Sequence, residues 1–182
     1  MPVPEGLCRR WTMPPSVRNF FFYRFDPPGL PGGIRVGIAE SGRLLTDLFF
    51  ENHVPAGFRK AVTVEAETPL IKEAARQVGE YLAGKRRVFD VPVELAGTDF
   101  QKDVWRALLA VPFGATKSYK EIAADVGRPK AVRAVGLANN RNPVSIIVPC
   151  HRVIGHDGSL TGYGGGLPVK RFLLELEAGR LI

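Results

Sequence analysis

The chain has 182 residues, 45% of them hydrophobic, and a formal charge of +7, enough for one domain or two small ones with a real core. No run is long and apolar enough to span a membrane, and Met1–Trp11 carries Glu5, Arg9 and Arg10 without the apolar stretch of a secretory signal, so a cytoplasmic protein is expected. Two cysteines, Cys8 and Cys150, and three histidines are too few for a disulfide framework or a Cys-rich zinc site, so neither a metal nor a Cys8–Cys150 bridge is expected.

The first stretch reads as sheet. Asn19–Phe25 is aromatic-rich, and Ile34–Ala39 and Leu44–Phe50 are apolar runs separated by the turn signal Glu40-Ser41-Gly42. A helix follows. Thr68 caps it, Pro69 suits its first turn, and Leu70, Ile71, Ala74, Ala75, Val78, Tyr81 and Leu82 recur at helical spacing until Gly84. Val88–Val93 is expected to be a further strand, held near an edge by Pro92. Residues 1–92 thus form a small α/β domain in which nothing suggests chemistry.

Ala96-Gly97 reads as a hinge, and the pattern then turns helical. Thr98-Asp99-Phe100-Gln101 is a capping box for a helix that turns Val104, Trp105, Leu108 and Leu109 inward. Ser118-Tyr119-Lys120-Glu121 is a second capping box, and Gly127 keeps its helix short. Arg128-Pro129 opens another helix that reaches about Asn139. Two short helices around a glycine turn fit either a helix-turn-helix or an ordinary helical hairpin. Charge favours the first. Residues 1–95 carry a net +2 and residues 96–182 a net +5, and Lys117–Arg152 holds seven basic and two acidic residues. Local positive charge attracts polyanions, nucleic acid first, although a solvated basic face is the alternative. The last helix starts at Pro168 and buries Val169, Phe172, Leu173 and Leu176 before Gly179.

Cys150 stands out chemically. It follows the apolar run Ser145–Val148 and Pro149, and it precedes His151 and Arg152. A thiolate is a strong nucleophile without any cofactor, and nearby cations or a base favour its formation. A buried structural cysteine is the plainer reading of the same residue. Adjacent side chains on an extended segment point to opposite sides, so a bridging water is one way to connect Cys150 with His151.

Ile147-Val148-Pro149-Cys150-His151-Arg152-Val153-Ile154 resembles the active-site signature of the methylated-DNA–protein-cysteine methyltransferases, the O6-alkylguanine-DNA alkyltransferases. The resemblance runs in order from residue 97 to residue 177. It takes in Gly97–Gln101 with Val104-Trp105, then Ser118-Tyr119, Pro129–Gly136, Asn142-Pro143, Leu160–Tyr163, Lys170 and Glu177. It implies that Cys150 accepts the alkyl group, that His151 takes the thiol proton through a bound water, and that Glu177 orients His151. It further implies that Asn142 holds the hinge to the active-site turn, and that Tyr119 helps rotate the nucleotide out and donates a hydrogen bond to the base. Arg133 is implied as the finger that fills the gap in the stack, with Lys130, Ala131, Ala134 and Arg141 also against DNA. Tyr163, Gly164, Val153 and Pro149 are implied to line the base pocket. The family often has a larger or polar side chain after the loop tyrosine. Here Gly164-Gly165-Gly166 leaves that wall to backbone groups.

The expected architecture is therefore α/β: residues 1–92 as a small domain with a short sheet, and residues 93–182 as a mostly helical catalytic domain with a helix-turn-helix. The expected activity is a single-turnover suicide transfer from guanine O6, with thymine O4 as a further substrate, to Cys150. The expected partner is double-stranded alkylated DNA, bound by a monomer without a cofactor. Extrusion of the nucleotide is chemically required, because an alkyl group stacked in the duplex does not reach a buried thiol. Two rivals are a damage-binding relative without the nucleophile and a transcription regulator. Cys150 opposes the first, and the Cys-His-Arg turn with Glu177 opposes the second.

Overall fold

The structure, a computed structural model, describes residues 17–180, so the expectations for Met1–Trp11 and for Cys8 lie outside it. The chain opens with an antiparallel meander of β1 (Arg18–Phe25), β2 (Ile34–Ser41) and β3 (Leu44–Phe50). Gly42 and Arg43 form the two-residue link between β2 and β3, both at positive φ (58° and 74°). That conformation gives a hairpin turn whose twist matches the strands. A helical turn, α1 (Ala56–Arg59), lies before a short β4 (Thr63–Glu65), which runs parallel to β1. The sheet order is β3-β2-β1-β4. Only three residues long and exposed throughout, β4 gives no alternation for a sequence reading to detect.

Helix α2 (Pro69–Leu82) begins where the cap and proline place it, with Ile71 N–H donating to Thr68 Oγ1 at 3.2 Å. Its buried face of Ile71, Ala74, Ala75, Val78, Tyr81 and Leu82 lies on the sheet. The strand expected over Val88–Val93 does not form. One parallel bridge joins Leu45 to Val93, with Leu45 N–H donating to Pro92 O at 2.9 Å. Pro92 has no N–H for a ladder, and Asp90 N–H donates to the side chain of Gln77 at 3.1 Å instead of to a strand.

In the second half, α3 (Asp99–Leu109) and α4 (Tyr119–Asp125) both start at the complete capping boxes read from the sequence. Helix α5 (Val132–Asn140) starts three residues after Pro129, later than expected. Arg128–Ala131 closes first as a turn, with Ala131 N–H donating to Arg128 O at 2.8 Å. Trp105 of α3 donates its indole N–H to Ala138 O of α5 at 2.9 Å, which fixes these helices together. The two-residue strands β5 (Lys117–Ser118) and β6 (Val153–Ile154) pair in parallel, and α6 (Leu167–Glu177) closes the fold. No helix among the described residues is long and apolar enough to cross a membrane.

One hydrophobic cluster runs through both halves, from Val36, Leu45 and Leu48 through α2 and α3 to Val148, Phe172 and Leu173. Backbone bonds add to it. Leu48 N–H of β3 donates to Pro143 O and Ser145 N–H donates back to Leu48 O, both at 2.8 Å. The N-terminal sheet thus docks directly onto the segment that leads into Cys150.

Candidate active site

The segment Asn142–Arg152 is a series of tight turns. Asn142 is buried, donates Nδ2–H to Val148 O at 2.8 Å, and accepts Val144 N–H on Oδ1 at 3.0 Å. Its side chain therefore ties the hinge to the turn. Ile146 sits at φ 72° with Ile147 N–H donating to Ser145 O at 2.9 Å, the three-residue turn of the strained hand. A β-branched residue at positive φ costs on the order of 1–3 kcal/mol. Burial of Ile146, the Asn142 bonds and the β3 contacts hold it there. Pro149, at φ −82° and ψ 62°, makes the relaxed counterpart of that turn, with Cys150 N–H donating to Val148 O at 2.8 Å.

Cys150–Arg152 is one turn of 3-10 helix, not the extended segment assumed from the sequence, and all three side chains are buried. His151 is wholly buried, and its Nε2 lies 3.0 Å from Glu177 Oε1. Glu177 is the last residue of α6 and is also buried. Arg152 clamps it with Nε–H donating to Oε2 at 2.9 Å and Nη2–H donating to Oε1 at 2.8 Å. Gly114 N–H adds a bond to Oε2 at 3.0 Å, and Tyr81 O–H donates to Oε1 at 2.6 Å. Burial alone would raise the Glu177 pKa, but the bonds from His151, Arg152 and Tyr81 outweigh it and hold the carboxyl well below the usual range. An ionised Glu177 only accepts, so Nε2 of His151 carries the hydrogen and Nδ1 is the basic nitrogen. Nδ1 is buried and has no hydrogen-bond partner among the described residues. Burial pushes the His151 pKa down against the pull of Glu177, which keeps the ring neutral.

Burial pushes the Cys150 thiol pKa up, so the resting group is a thiol that needs a base. Asn142, Ser145 and the charge of Lys170 act in the opposite sense. Lys170 is wholly buried in α6, with its ammonium donating to Val153 O at 2.6 Å and Thr161 O at 3.2 Å. Tyr119 opens α4, half-buried, and its hydroxyl accepts from Thr161 Oγ1 at 2.9 Å. Burial raises its pKa, so the phenol keeps its proton. The ring of Tyr163 lies edge-on to His151 (6.4 Å) and to Phe50 (5.4 Å), and its hydroxyl is buried without a partner among the described residues. Val153 and Pro149 are buried beside Cys150 in sequence and in the same turn region. A Cβ at Gly164 would lie 2.7 Å from His53 Cδ2, and one at Gly165 would lie 3.0 Å from the Phe50 ring. The missing side chains of this loop are thus replaced by two from the N-terminal half.

Arg133 and Ala134 are exposed on α5, Lys130 is exposed just before it and Arg141 just after it, while Ala131 is half-buried. Lys120 and Arg128 are exposed as well and add to the positive surface of this stretch. Two charges of the basic stretch are not part of it. Lys117 pairs with Asp125 at 2.6 Å, and Arg152 is spent on Glu177 inside the protein. Sequence reasoning misses Tyr81, which reads as an α2 core residue, and assigns Arg152 and Lys170 no role. The signal for Tyr81 was that a phenol deep in a core needs a hydrogen-bond partner.

A buried Cys-His turn with an ionised glutamate behind it, next to a basic helix pair, defines a class: a DNA-directed protein with a nucleophilic cysteine. Residues 99–179 match the family profile of the 6-O-methylguanine DNA methyltransferase, DNA binding domain. The methylated-DNA–protein-cysteine methyltransferase of Methanosarcina barkeri is 60% identical over 110 residues, 60% of this chain and 70% of the relative. The constitutive enzyme of that name from Bacillus subtilis is 48% identical over 143 residues, 77% of this chain and 87% of the relative. A crystal structure of Mycobacterium tuberculosis OGT in complex with DNA superposes with a TM-score of 0.74 at 45% identity, covering 90% of this chain and 94% of that one. The chain belongs to the methylated-DNA–protein-cysteine methyltransferases, suicide enzymes that repair DNA by direct transfer of the alkyl group to protein.

Proposed function

We propose that Cys150 is the acceptor and that His151, through one water molecule, removes its proton. The observation that carries this reading is the arrangement of His151. Its Nε2 is held by an ionised carboxylate, and its Nδ1 is left as a buried acceptor on the same turn as a protonated thiol. The thiolate sulfur attacks the alkyl carbon of O6-alkylguanine. The new S–C bond forms as the C–O6 bond breaks. The departing guanine takes up a proton from Tyr119, and the proton that His151 took from the thiol returns through solvent to restore the Tyr119 phenol, so none is gained or lost. The thioether is stable, so each chain acts once. Asn142 keeps the hinge and the reacting turn in register, and Tyr163, Gly164, Val153 and Pro149 enclose the base.

The substrate in this reading is double-stranded DNA, with O6-alkylguanine first and O4-alkylthymine second, met by a monomer in the cytoplasm. Residues 1–92 act as a small α/β domain that buttresses the site, and residues 93–182 carry out binding and transfer. Incubation with a duplex containing O6-methylguanine, digestion and peptide mass measurement test the acceptor. One methyl group on the Cys150 peptide per chain is expected. Methyl on Cys8, or turnover beyond one per chain, contradicts it.

Arg133 supplies the finger. It is exposed on α5, where a long cation fills the gap in the stack, and unstacking costs a few kcal/mol that its hydrogen bonds partly offset. Arg133→Ala is expected to slow transfer from duplex DNA by about tenfold, roughly 1.4 kcal/mol, while leaving reaction with free O6-benzylguanine nearly unchanged. Single-turnover rates with the two substrates decide this. Equal losses with both point to a folding defect instead.

A further inference from the structure

We propose that Tyr81 is a positioning residue for the transfer reaction: its hydroxyl, brought in from α2, clamps Glu177 against Nε2 of His151, so that Nδ1 is held as the proton acceptor for Cys150. The proposal rests on the relay reading above. Tyr81 is wholly buried in the last turn of α2, outside the segment 99–179 that the family profile matches. Its O–H donates to Glu177 Oε1 at 2.6 Å, and the Tyr81 hydroxyl oxygen lies 3.2 Å from His151 Nε2. The hydroxyl hydrogen is committed to the carboxylate, so the phenol oxygen faces the Nε2 hydrogen as a second acceptor. The imidazole N–H is thereby shared between two oxygens that are themselves bonded to each other, which fixes the ring laterally as well as along the N–O axis.

The ring of Tyr81 has little freedom to leave. Phe89 lies 5.4 Å from it and Phe113 6.2 Å, the latter edge-on, and α2 is anchored on the sheet. A buried phenol needs only one partner, and a backbone carbonyl would serve. This one is aimed at the two groups that set the state of the base. His151 and Arg152 do more than Tyr81 to keep Glu177 ionised, so the particular contribution of Tyr81 is to the state of the ring. Its bond draws negative charge from Oε1, the oxygen nearer His151, and so limits how tightly Glu177 holds a proton on the ring. The charged groups acting on His151 are Glu177, Arg152 and Lys170, from α6 and the 3-10 turn, and Tyr81 is the polar contribution of α2.

Tyr81→Phe keeps the ring and removes the hydroxyl. Single-turnover methyl transfer from duplex DNA is measured from acid to alkaline pH for the full chain, beside Tyr81→Phe and Glu177→Gln, with DNA affinity and thermal unfolding recorded for each. For Tyr81→Phe the rate at neutral pH is expected to fall about tenfold, a fraction of the loss from removing a general base outright. The acid limb of the profile is expected to move up by about half a pH unit, because Glu177 then holds the imidazolium more firmly. DNA affinity is expected to stay unchanged. Fluorinated tyrosine at position 81, a stronger donor with the same shape, is expected to move the limb the other way, and it keeps the test open if the phenylalanine variant folds poorly. A profile that coincides with the parent, or a uniform fall with the limb unmoved, overturns the proposal. If Glu177→Gln also transfers like the parent, the relay reading itself fails. If only Glu177→Gln is impaired, the role of Tyr81 alone fails.

Discussion

Cys150→Ser is expected to lower methyl transfer by about 10⁴-fold or more, since loss of an enzyme nucleophile removes nearly all of the chemical acceleration. Binding to undamaged and to methylated duplex is expected to persist, because the exposed cations Lys130, Arg133 and Arg141 lie apart from the buried thiol. The substitution is also mild for the fold. Serine is close to cysteine in size, so it fits the same turn without repacking. The remaining cost of placing a hydroxyl there is about 1–3 kcal/mol. Rapid-quench transfer assays and gel-shift titrations on one preparation check the two halves of this expectation. Loss of binding together with loss of folding would mark Cys150 as a structural cysteine.

Much of the fold was legible because local chemistry and tertiary packing agree. Thr98 with Gln101 and Ser118 with Glu121 announce helix starts through bonds that lie within four residues, and both boxes are intact in the structure. Thr68 and Pro69 mark α2 in the same way. The meander β1-β2-β3 follows from apolar runs divided by a turn that Gly42 suits. Where the reading departed from the fold, the cause was non-local. Val88–Val93 has the composition of a strand, yet the side chain of Gln77 takes the Asp90 N–H and Pro92 offers none. The start of α5 is the local exception: Arg128–Ala131 closes as a turn of its own before the helix begins.

The site shows the same division. Cys150, His151 and Glu177 were identified through resemblance, whereas the contacts that tune them cross long sequence distances. Tyr81 is 96 residues from Glu177, and Phe50 and His53 reach the Gly164-Gly165 loop from the first half. Helical periodicity places Tyr81 on the buried face of α2 without saying what its hydroxyl meets. Arg152 reads as one more basic residue in a DNA-binding stretch until burial shows it turned inward to Glu177. Net charge therefore overstated the cationic surface, and it did so at the residue that secures the buried Glu177 carboxylate.

Glu177→Gln is expected to be the most damaging single change to stability among the site residues. It leaves the Arg152 guanidinium buried without a counter-charge and sets an amide N–H against donors that now meet a carboxylate oxygen. Breaking a buried ion pair from one side costs about 3–5 kcal/mol. For a chain of this size that is a fall in Tm on the order of 10 °C. The penalty is expected to depend on pH in a defined direction. Glu177 has a folded pKa below its unfolded value of about 4.3, so its contribution is complete above that pH and is lost as pH falls through the folded value. His151 has a folded pKa below its unfolded value of about 6.5, so below that pH the unfolded chain binds a proton that the folded chain refuses. Parent stability should therefore decline from about pH 6.5 downward through His151, and the gap between parent and Glu177→Gln should narrow only once pH falls below about 4.3. Thermal unfolding of both proteins from pH 8 to the acid limit of solubility measures each slope. A gap of the same size at neutral and at strongly acidic pH would show that the Glu177 carboxylate, although buried between His151 and Arg152, contributes shape to this site and not charge.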